Sequence, residues 1–270
     1  MLWPWQRKTN NGDNILPKGQ NELATRVRQC GIDPAGFRLY FGQGDEAIYG
    51  FTSTGRDSVN VWKKLTAAVD RTGHRPVVLG VDDDLSFHKE LIEEFGDQNS
   101  SGVRETIRLG EELSPDEFLK SAANNWIDDD DEFNIADYHG EWPGPAPQQG
   151  FGITTLSNVP LVHIGLAPTV TPWHLPAYLR FGGWNDCPPP SAHVAMFKYW
   201  YEKYGAVPVN MTHDVVEMYV AKPIRSKEEA ISVAEEHFWY CTDIVMQGTE
   251  TIEALAATLL DANQWYFWWD

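Results

Sequence analysis

A cysteine nucleophile is the most specific catalytic possibility that the residue types suggest. Cys187 precedes a predicted helix that carries His193 in its first turn. His193 or His213 would act as the base, because an imidazole and a helix N-terminus both lower the pKa of a thiol. Asp214 or Asp186 would orient that imidazole. However, three prolines follow Cys187 and remove N–H donors from an oxyanion hole, so a small buried thiol beside a tight loop is the simpler interpretation.

Carboxylates after a strand are a second chemical possibility. Asp82, Asp83 and Asp84 follow a short apolar strand, where open α/β sheets place ligand-binding residues. They could hold Mg²⁺ or supply a nucleophile. The sequence has no glycine-rich phosphate loop beside them and few basic residues to clamp a phosphate, which favours a solvated turn. The histidines show no i, i+4 pair, so we predict no metal site and no cofactor.

A polar pocket is the third possibility. Its members would come from three separate stretches of the last third of the chain: Trp184, Asn185, Asp214, Glu217, Asp243 and Gln247. Buried polar groups that fix loops would explain the same residues. Trp184 could also present an exposed aromatic anchor to a partner, since tryptophan is favoured at binding hot spots.

The helices and strands that would position these groups indicate an α/β protein with mixed sheets flanked by helices. Apolar periodicity and turn residues give helix, hairpin, helix, strand over residues 20–81. The same order returns over residues 191–270 with one helix added. This parallel raises the possibility of a duplicated unit. Capping residues mark several helix starts, at Ser114, Ser191 and Ser226.

The last third carries motifs that resemble a known family. In order, they are Phe181-Gly-Gly-Trp-Asn-Asp-Cys-Pro, Trp200-Tyr-Glu-Lys-Tyr-Gly-Ala, Thr212-His-Asp-Val-Val-Glu, Tyr240-Cys-Thr-Asp-Ile-Val-Met-Gln-Gly-Thr and Trp265-Tyr-Phe-Trp-Trp-Asp. This series is similar to the bacterial domain family DUF4253, over about residues 160–270. The resemblance implies a domain and no activity, because the family has none that is established.

The aromatic run at residues 265–269 is expected to be a strand of the core. Trp265, Phe267 and Trp269 point to one side of an extended strand, and Tyr266 and Trp268 to the other. Both faces are therefore apolar, which predicts a strand inserted into a sheet and covered on both sides.

Charge is the most informative quantity. Of the formal charge of −18, a net −15 lies between Asp82 and Glu141, where 19 acidic residues face four basic ones. Such a field repels phosphate backbones, so nucleic-acid binding is not expected, and it attracts basic proteins by long-range steering. No run of 18 apolar residues exists, so no membrane partner is expected.

Composition divides the chain into four parts. We predict a flexible arm at residues 1–19, an acidic α/β module at residues 20–142, a linker rich in proline and glycine at residues 143–150, and the DUF4253-like module at residues 151–270. The three cysteines are far apart, which indicates reduced thiols. The first residues contain no apolar segment before their charges, so no signal peptide is expected. The expected location is cytoplasmic.

We therefore expect a non-catalytic binding protein, most simply an acidic inhibitor of the immunity or antitoxin type that covers a basic, nuclease-like toxin. The partner would contact acidic residues of one helix and the loop after it: Asp116, Glu117, Asp128, Asp129, Asp130, Asp131 and Glu132. The alternative is a hydrolase or transferase that uses Cys187, His213 and Asp214, or a carboxylate pocket near Trp184.

Overall fold

The protein has the predicted α/β fold, a mixed β-sheet with helices. Its structure is a computed structural model, which describes residues 19–98, 102–129, 133–146 and 156–270, with the backbone alone for residues 94–98 and 127–129. None of the helices in these ranges is long and apolar enough to cross a membrane.

Two predicted segments fall partly outside the described residues. They are the arm at residues 1–19 and the linker at residues 143–150.

The strands of the described residues form one seven-stranded sheet in the order β1-β2-β4-β3-β5-β6-β7. In chain order they are β1 (Arg38–Phe41), β2 (Ile48–Ser53), β3 (Arg75–Val78), β4 (Val162–Ala167), β5 (Ala206–Met211), β6 (Val215–Val220) and β7 (Gln264–Trp268). Strands β3 to β6 are buried along their whole length. Apolar strands of this kind need cover on both faces, which places them in the middle of the sheet.

Pairing within the sheet is mostly antiparallel. Strand β4 pairs antiparallel with both β2 and β3, and β6 pairs antiparallel with β7. Strand β3, in contrast, runs parallel to β5 with Val78 opposite Asn210. The carboxyl ends of β3 and β5 therefore lie side by side.

Ten α-helices lie in the described residues. They are α1 (Gln20–Arg28), α2 (Gly55–Thr66), α3 (Val69–Thr72), α4 (Asp82–Gln98), α5 (Val103–Glu112), α6 (Pro115–Asp129), α7 (Leu175–Leu179), α8 (Pro190–Tyr204), α9 (Lys227–Tyr240) and α10 (Ile252–Leu259). A π-helix, Ile244–Thr249, joins α9 to α10.

Two of the predicted helix starts are confirmed by their hydrogen bonds. The backbone N–H of Glu117 donates to Ser114 Oγ at 3.4 Å, and that of Glu229 donates to Ser226 Oγ at 3.2 Å. Each hydroxyl satisfies one of the backbone donors that the first turn of a helix leaves without a partner.

The predicted cap at Ser191 is wrong. Helix α8 begins one residue earlier, at Pro190, and has no side-chain cap. Proline suits a first helical position because its φ angle is already helical and it has no N–H to satisfy. At the other end, Gly205 ends α8 with a φ of 62°, a left-handed conformation that glycine adopts without steric cost.

The chain divides into two compact units, each assembled from segments that are distant in sequence. The first unit comprises Met1–Arg104, Gly152–Phe181 and Pro208–His213, and the second comprises Glu105–Phe151, Gly182–Val207 and Asp214–Asp270. These limits differ from the predicted modules. Helices α5 and α6, which the sequence placed in the N-terminal module, share the second unit with α8, α9 and α10, because α6 packs on α8 and α9.

The element order repeats along the chain as predicted, whereas the strand pairing does not. In the first run, β2 and β3 are both antiparallel to β4 and therefore parallel to each other. In the second run, β7 pairs directly and antiparallel with β6. The third strand of each run thus has a different neighbour and direction, so the two runs do not share one topology.

Strand β7 is the edge of the sheet, which corrects the prediction that it would be inserted between strands. Trp265, Phe267 and Trp269 are buried, with at most 2% of each residue exposed. On the other face Tyr266 is 40% exposed and Trp268 is half-buried. Only one face of the run is fully buried, because β7 packs its odd-numbered residues on α8 and α9.

That covered face belongs to an aromatic cluster at the centre of the second unit. The Phe267 ring stacks on Trp200 of α8 at 5.3 Å between centroids, and Tyr240 of α9 meets Phe267 edge-on at 5.0 Å. His237 of α9 lies 4.7 Å from both Trp265 and Phe267. Such edge-to-face and stacked pairs add about 0.5–1.5 kcal/mol each beyond the area they bury.

Neither ring nitrogen of His237 has a hydrogen-bond partner among the described residues, and the side chain is fully buried. Burial lowers the pKa of His237 to about 3, since the charged form would lose its hydration. The imidazole is therefore neutral at physiological pH.

Truncation should separate the two faces of β7. We expect Phe267→Ala to reduce the free energy of unfolding by about 3–5 kcal/mol, as is usual for a buried phenylalanine. The neighbouring Tyr266→Ala should cost about 1 kcal/mol or less, because 40% of Tyr266 is exposed and its truncation opens no closed cavity. Urea unfolding followed by circular dichroism measures both, and equal losses would contradict the described burial.

His237 should make stability depend on pH. Its pKa is lower in the folded protein than in the unfolded chain, so its contribution is complete above about pH 6.5 and falls as the unfolded chain takes up the proton. We expect the wild type to lose about 2 kcal/mol more than His237→Leu between pH 7 and pH 5. Urea unfolding at both pH values measures this, and parallel losses would argue against a neutral buried imidazole.

Candidate functional site

The second unit contains a thiol, an imidazole and a phenol in a row. Cys187 Sγ lies 3.5 Å from His193 Nε2, and His193 Nδ1 lies 2.5 Å from the Tyr240 hydroxyl. Gly182 makes the close packing possible. A Cβ there would stand 2.0 Å from the Pro188 carbonyl oxygen and 2.6 Å from His193 Nε2, and the φ of Gly182 is 102°. The structure therefore brings together two of the proposed catalytic residues, Cys187 and His193.

The electrostatics of this row oppose catalysis. Cys187 is 4% exposed and His193 is fully buried. Burial raises the pKa of the Cys187 thiol far above its ordinary value and lowers the pKa of His193 to about 3. A reactive cysteine needs a thiolate beside a charged imidazole, whereas both groups here are neutral.

The proposed pocket residues lie around β7 and hold it in place. Asn185 Nδ2 donates to the Asp270 carbonyl oxygen at 2.7 Å, and the Asp270 N–H donates to Asp243 Oδ2 at 2.9 Å. Trp268 Nε1 donates to Asp214 Oδ2 at 3.2 Å. We call Asn185, Asp214 and Asp243 the strand clamp.

Three further residues from the predicted pocket or motifs support the same region. Gln247 Nε2 donates to Asp243 Oδ1 at 2.9 Å and so orients one carboxylate of the strand clamp. Glu217 is fully buried in β6 and accepts a hydrogen bond of 3.1 Å from Gln264 in β7. The Cys241 thiol donates to the Trp268 carbonyl oxygen at 2.9 Å.

Trp184 lies in the loop before α8 and is half-buried. Its carbonyl oxygen accepts the backbone N–H of Cys187 at 2.9 Å, which closes the tight loop that the sequence indicated.

The first unit contains two carboxylate–histidine pairs beside the ends of β3 and β5. Asp84 Oδ1 lies 2.5 Å from His213 Nδ1, and Asp82 Oδ1 lies 2.8 Å from His163 Nε2. The Tyr40 hydroxyl lies 2.9 Å from His163 Nδ1. The predicted orienter of His213 was Asp214, but the carboxylate that binds its ring is Asp84.

Asp82, Asp83 and Asp84 do not form the predicted solvated turn, because they open α4. Asp84 is buried, and its Oδ2 accepts the backbone N–H of Val81 at 2.8 Å. This contact resembles the carboxylate half of a capping box, which gives Asp84 a structural function. Among the described residues, no group of three or more His, Cys, Asp or Glu side chains could hold a metal ion.

An open groove of about 490 Å³ lies in the second unit. Four aromatic side chains contribute to its walls: Phe118 and Trp126 from α6, and Trp239 and Tyr240 from α9. The remaining lining residues are Ser121, Ala122, Asn125, Asp186 and Pro188. Trp126 and Trp239 are half-buried, and Asp186 is exposed.

The family model of DUF4253, a domain of unknown function, matches residues 163–270. The chain contains a DUF4253 domain. This confirms the resemblance that the motifs of the last third indicated. No curated protein and no solved structure matches the chain.

All residues of the strand clamp fall within the DUF4253 domain, as do Cys187 and His193. In the structure, Cys187 and His193 pack in the core, and the residues of the strand clamp hold β7. The polar motif residues of the domain thus have a structural explanation.

Outside the DUF4253 domain, the second unit carries the acidic helices. Asp116 and Glu117 are exposed in the first turn of α6, and Asp137 and Glu141 are exposed after it. Arg108 of α5 is already paired on both sides, with Glu105 and Glu112.

Asp128 and Asp129 belong to the last turn of α6, although the sequence predicted a loop for them. The unfavourable interaction of an acidic residue with a helix C-terminus is about 0.3–1 kcal/mol, which is too little to end a helix by itself. Asp130, Asp131 and Glu132 lie outside the described residues.

The groove and the contact between Tyr240 and His193 were not predicted. The groove joins α6 to α9 across more than 100 residues of sequence, and no local pattern reports such a distance. One signal was available: α6 places Phe118, Ala122 and Trp126 at helical spacing.

Thiol labelling tests the electrostatics of Cys187. We expect iodoacetamide at pH 8 to modify Cys30, which is partly exposed, while Cys187 and Cys241 stay unmodified because both are buried and protonated. Peptide mass spectrometry locates the label, and the same protein in urea should be modified at all three positions. Rapid labelling of Cys187 in the folded protein would instead indicate an activated thiol.

Proposed function

We propose that this protein is a non-catalytic binding protein that engages a basic protein through the acidic helices of its second unit. The observation that carries the proposal is a set of exposed carboxylates on and after α6. Asp116, Glu117, Asp137 and Glu141 have no ion-pair partner among the described residues, and all four belong to one compact unit.

The local charge balance supports this choice. Residues 105–141 contain twelve acidic residues and two basic ones, Arg108 and Lys120. Arg108 already binds Glu105 and Glu112, so it does not neutralise the other carboxylates. The resulting negative potential attracts cationic proteins and raises their association rate.

The enzymatic alternative receives less support. Cys187 and His193 are close together, but burial keeps both neutral and encloses them. Asp214, the proposed orienter, and Asp243, from the proposed pocket, bind Trp268 and Asp270. Groups that are already occupied in holding a strand are poor candidates for binding a substrate.

The partner class that fits best is a basic, nuclease-like toxin, with this protein as its immunity or antitoxin-type inhibitor in the bacterial cytoplasm. The face with which a nuclease binds nucleic acid is rich in lysine and arginine, and an acidic surface can cover it. An inhibitor of a lethal enzyme also benefits from fast, electrostatically steered association.

Charge reversal tests the proposal. The bait would be the full chain, used against a nuclease-treated lysate of its own cells, with bound proteins identified by mass spectrometry. We expect a basic protein that Asp116→Lys/Glu117→Lys binds roughly tenfold more weakly at low salt, with a smaller difference at high salt because salt screens exposed charges. Purified, that protein should have a nuclease activity that the wild type inhibits.

The matched control is Asp70→Lys/Glu202→Lys, which makes the same change of charge at exposed positions of α3 and α8, outside α5 and α6. It should bind like the wild type. Equal losses in both double variants would reduce the effect to net charge. A wild-type bait that retains no basic protein dependent on Asp116 and Glu117 would overturn the proposal.

A further inference from the structure

The groove of the second unit lies beside the exposed carboxylates on and after α6, which we call the acidic surface, and differs from that surface in chemistry. Its walls hold four aromatic rings, and its one acidic side chain among the described lining residues is Asp186. No lysine or arginine is among those residues. A site with aromatic walls and a carboxylate, but no cation of its own, is complementary to a cationic ligand.

The two tryptophans in the walls of the groove pack on a shared aromatic neighbour. Phe133, which follows α6, lies 5.8 Å from Trp126 and 5.9 Å from Trp239 between ring centroids. It also stacks on the buried Phe238 at 6.4 Å. Two tryptophans from different helices thus share one packed neighbour, which limits their movement. A rigid aromatic wall loses little entropy when a ligand binds.

The electrostatics of the groove point to a cation. Asp186 is exposed and has no ion-pair partner among the described residues. Helix α6, which forms one wall, carries Asp116 and Glu117 in its first turn. The faces of tryptophan and phenylalanine rings are negative as well, so rings and carboxylates attract the same charge.

We propose that this groove receives an arginine side chain from the basic partner, an inference that rests on the proposed function. The guanidinium plane would stack on Trp126 or Trp239 and donate hydrogen bonds to Asp186. Arginine fits better than lysine because its planar group stacks on aromatic rings, is weakly hydrated and donates two parallel hydrogen bonds to a carboxylate. Aromatic and arginine contacts in a pocket are typical of binding hot spots.

A small probe tests the groove without the partner. Nα-acetyl-L-arginine amide would be titrated into the ¹⁵N-labelled full chain, with Nα-acetyl-L-citrulline amide as a neutral ligand of nearly the same shape. The indole N–H signals of Trp126 and Trp239 would be assigned from Trp126→Phe and Trp239→Phe. We expect both signals to shift with the arginine amide, with a dissociation constant in the millimolar range, and citrulline to bind at least about fivefold more weakly.

Asp186→Asn removes the charge and keeps the shape of an exposed side chain, so it should fold normally. We expect it to bind the arginine amide about fivefold more weakly than the wild type. Glu202→Gln neutralises an exposed carboxylate elsewhere on the second unit and should bind like the wild type. Unmoved indole signals, or equal binding of arginine and citrulline, would overturn the inference.

The partner experiment separates this inference from the proposed function. With the captured basic protein, Asp186→Asn and Trp126→Phe should each weaken binding, in addition to the effect of Asp116→Lys/Glu117→Lys. If the double variant alone loses the partner, the acidic surface binds it and the arginine groove is wrong. If the arginine amide shifts the indole signals but no basic partner is captured, the cation site stands and the proposed function fails.

Discussion

The packing of β7 on α8 and α9 is the interaction on which the second unit depends. Trp265, Phe267 and Trp269 bury one face of this strand against Trp200 and Tyr240. Each fully buried aromatic side chain contributes about 1.5–3 kcal/mol, so one strand provides a large part of the stability of the unit. Removing it would expose the inner faces of both helices.

The motifs of the DUF4253 domain are easier to understand from this strand than from any reaction. Asn185, Asp214 and Asp243 come from three separate stretches of the chain, and all three bind Trp268 or Asp270. These polar side chains form hydrogen bonds within the fold. Their presence in the motifs is therefore explained by structure and does not require a shared binding cleft. The proposed binding surfaces are α5, α6 and the groove of the second unit.

How far the sequence could predict this fold depended on the range of the interaction. Ser114, Ser226 and Gly205 act within one helical turn, so their effects could be predicted from neighbouring residues. The position of β4 between β2 and β3 depends on residues about 100 positions apart, and no periodicity reports it. The same holds for the site: Cys187 and His193 are close in sequence, and their contact is one of the two pairings that the sequence left open, whereas Asp84 and His213 meet across 129 residues.

The two outer strands of the sheet also carry features that limit association through exposed edges. Strand β1 has four residues and an irregular register between Leu39 and Phe41, which bends its free edge. At the end of β7, the carbonyl groups of Trp268 and Asp270 already accept hydrogen bonds from Cys241 and Asn185. Short, bent or occupied edges are poor templates for an added strand. These features limit the edge-to-edge aggregation to which open sheets are prone.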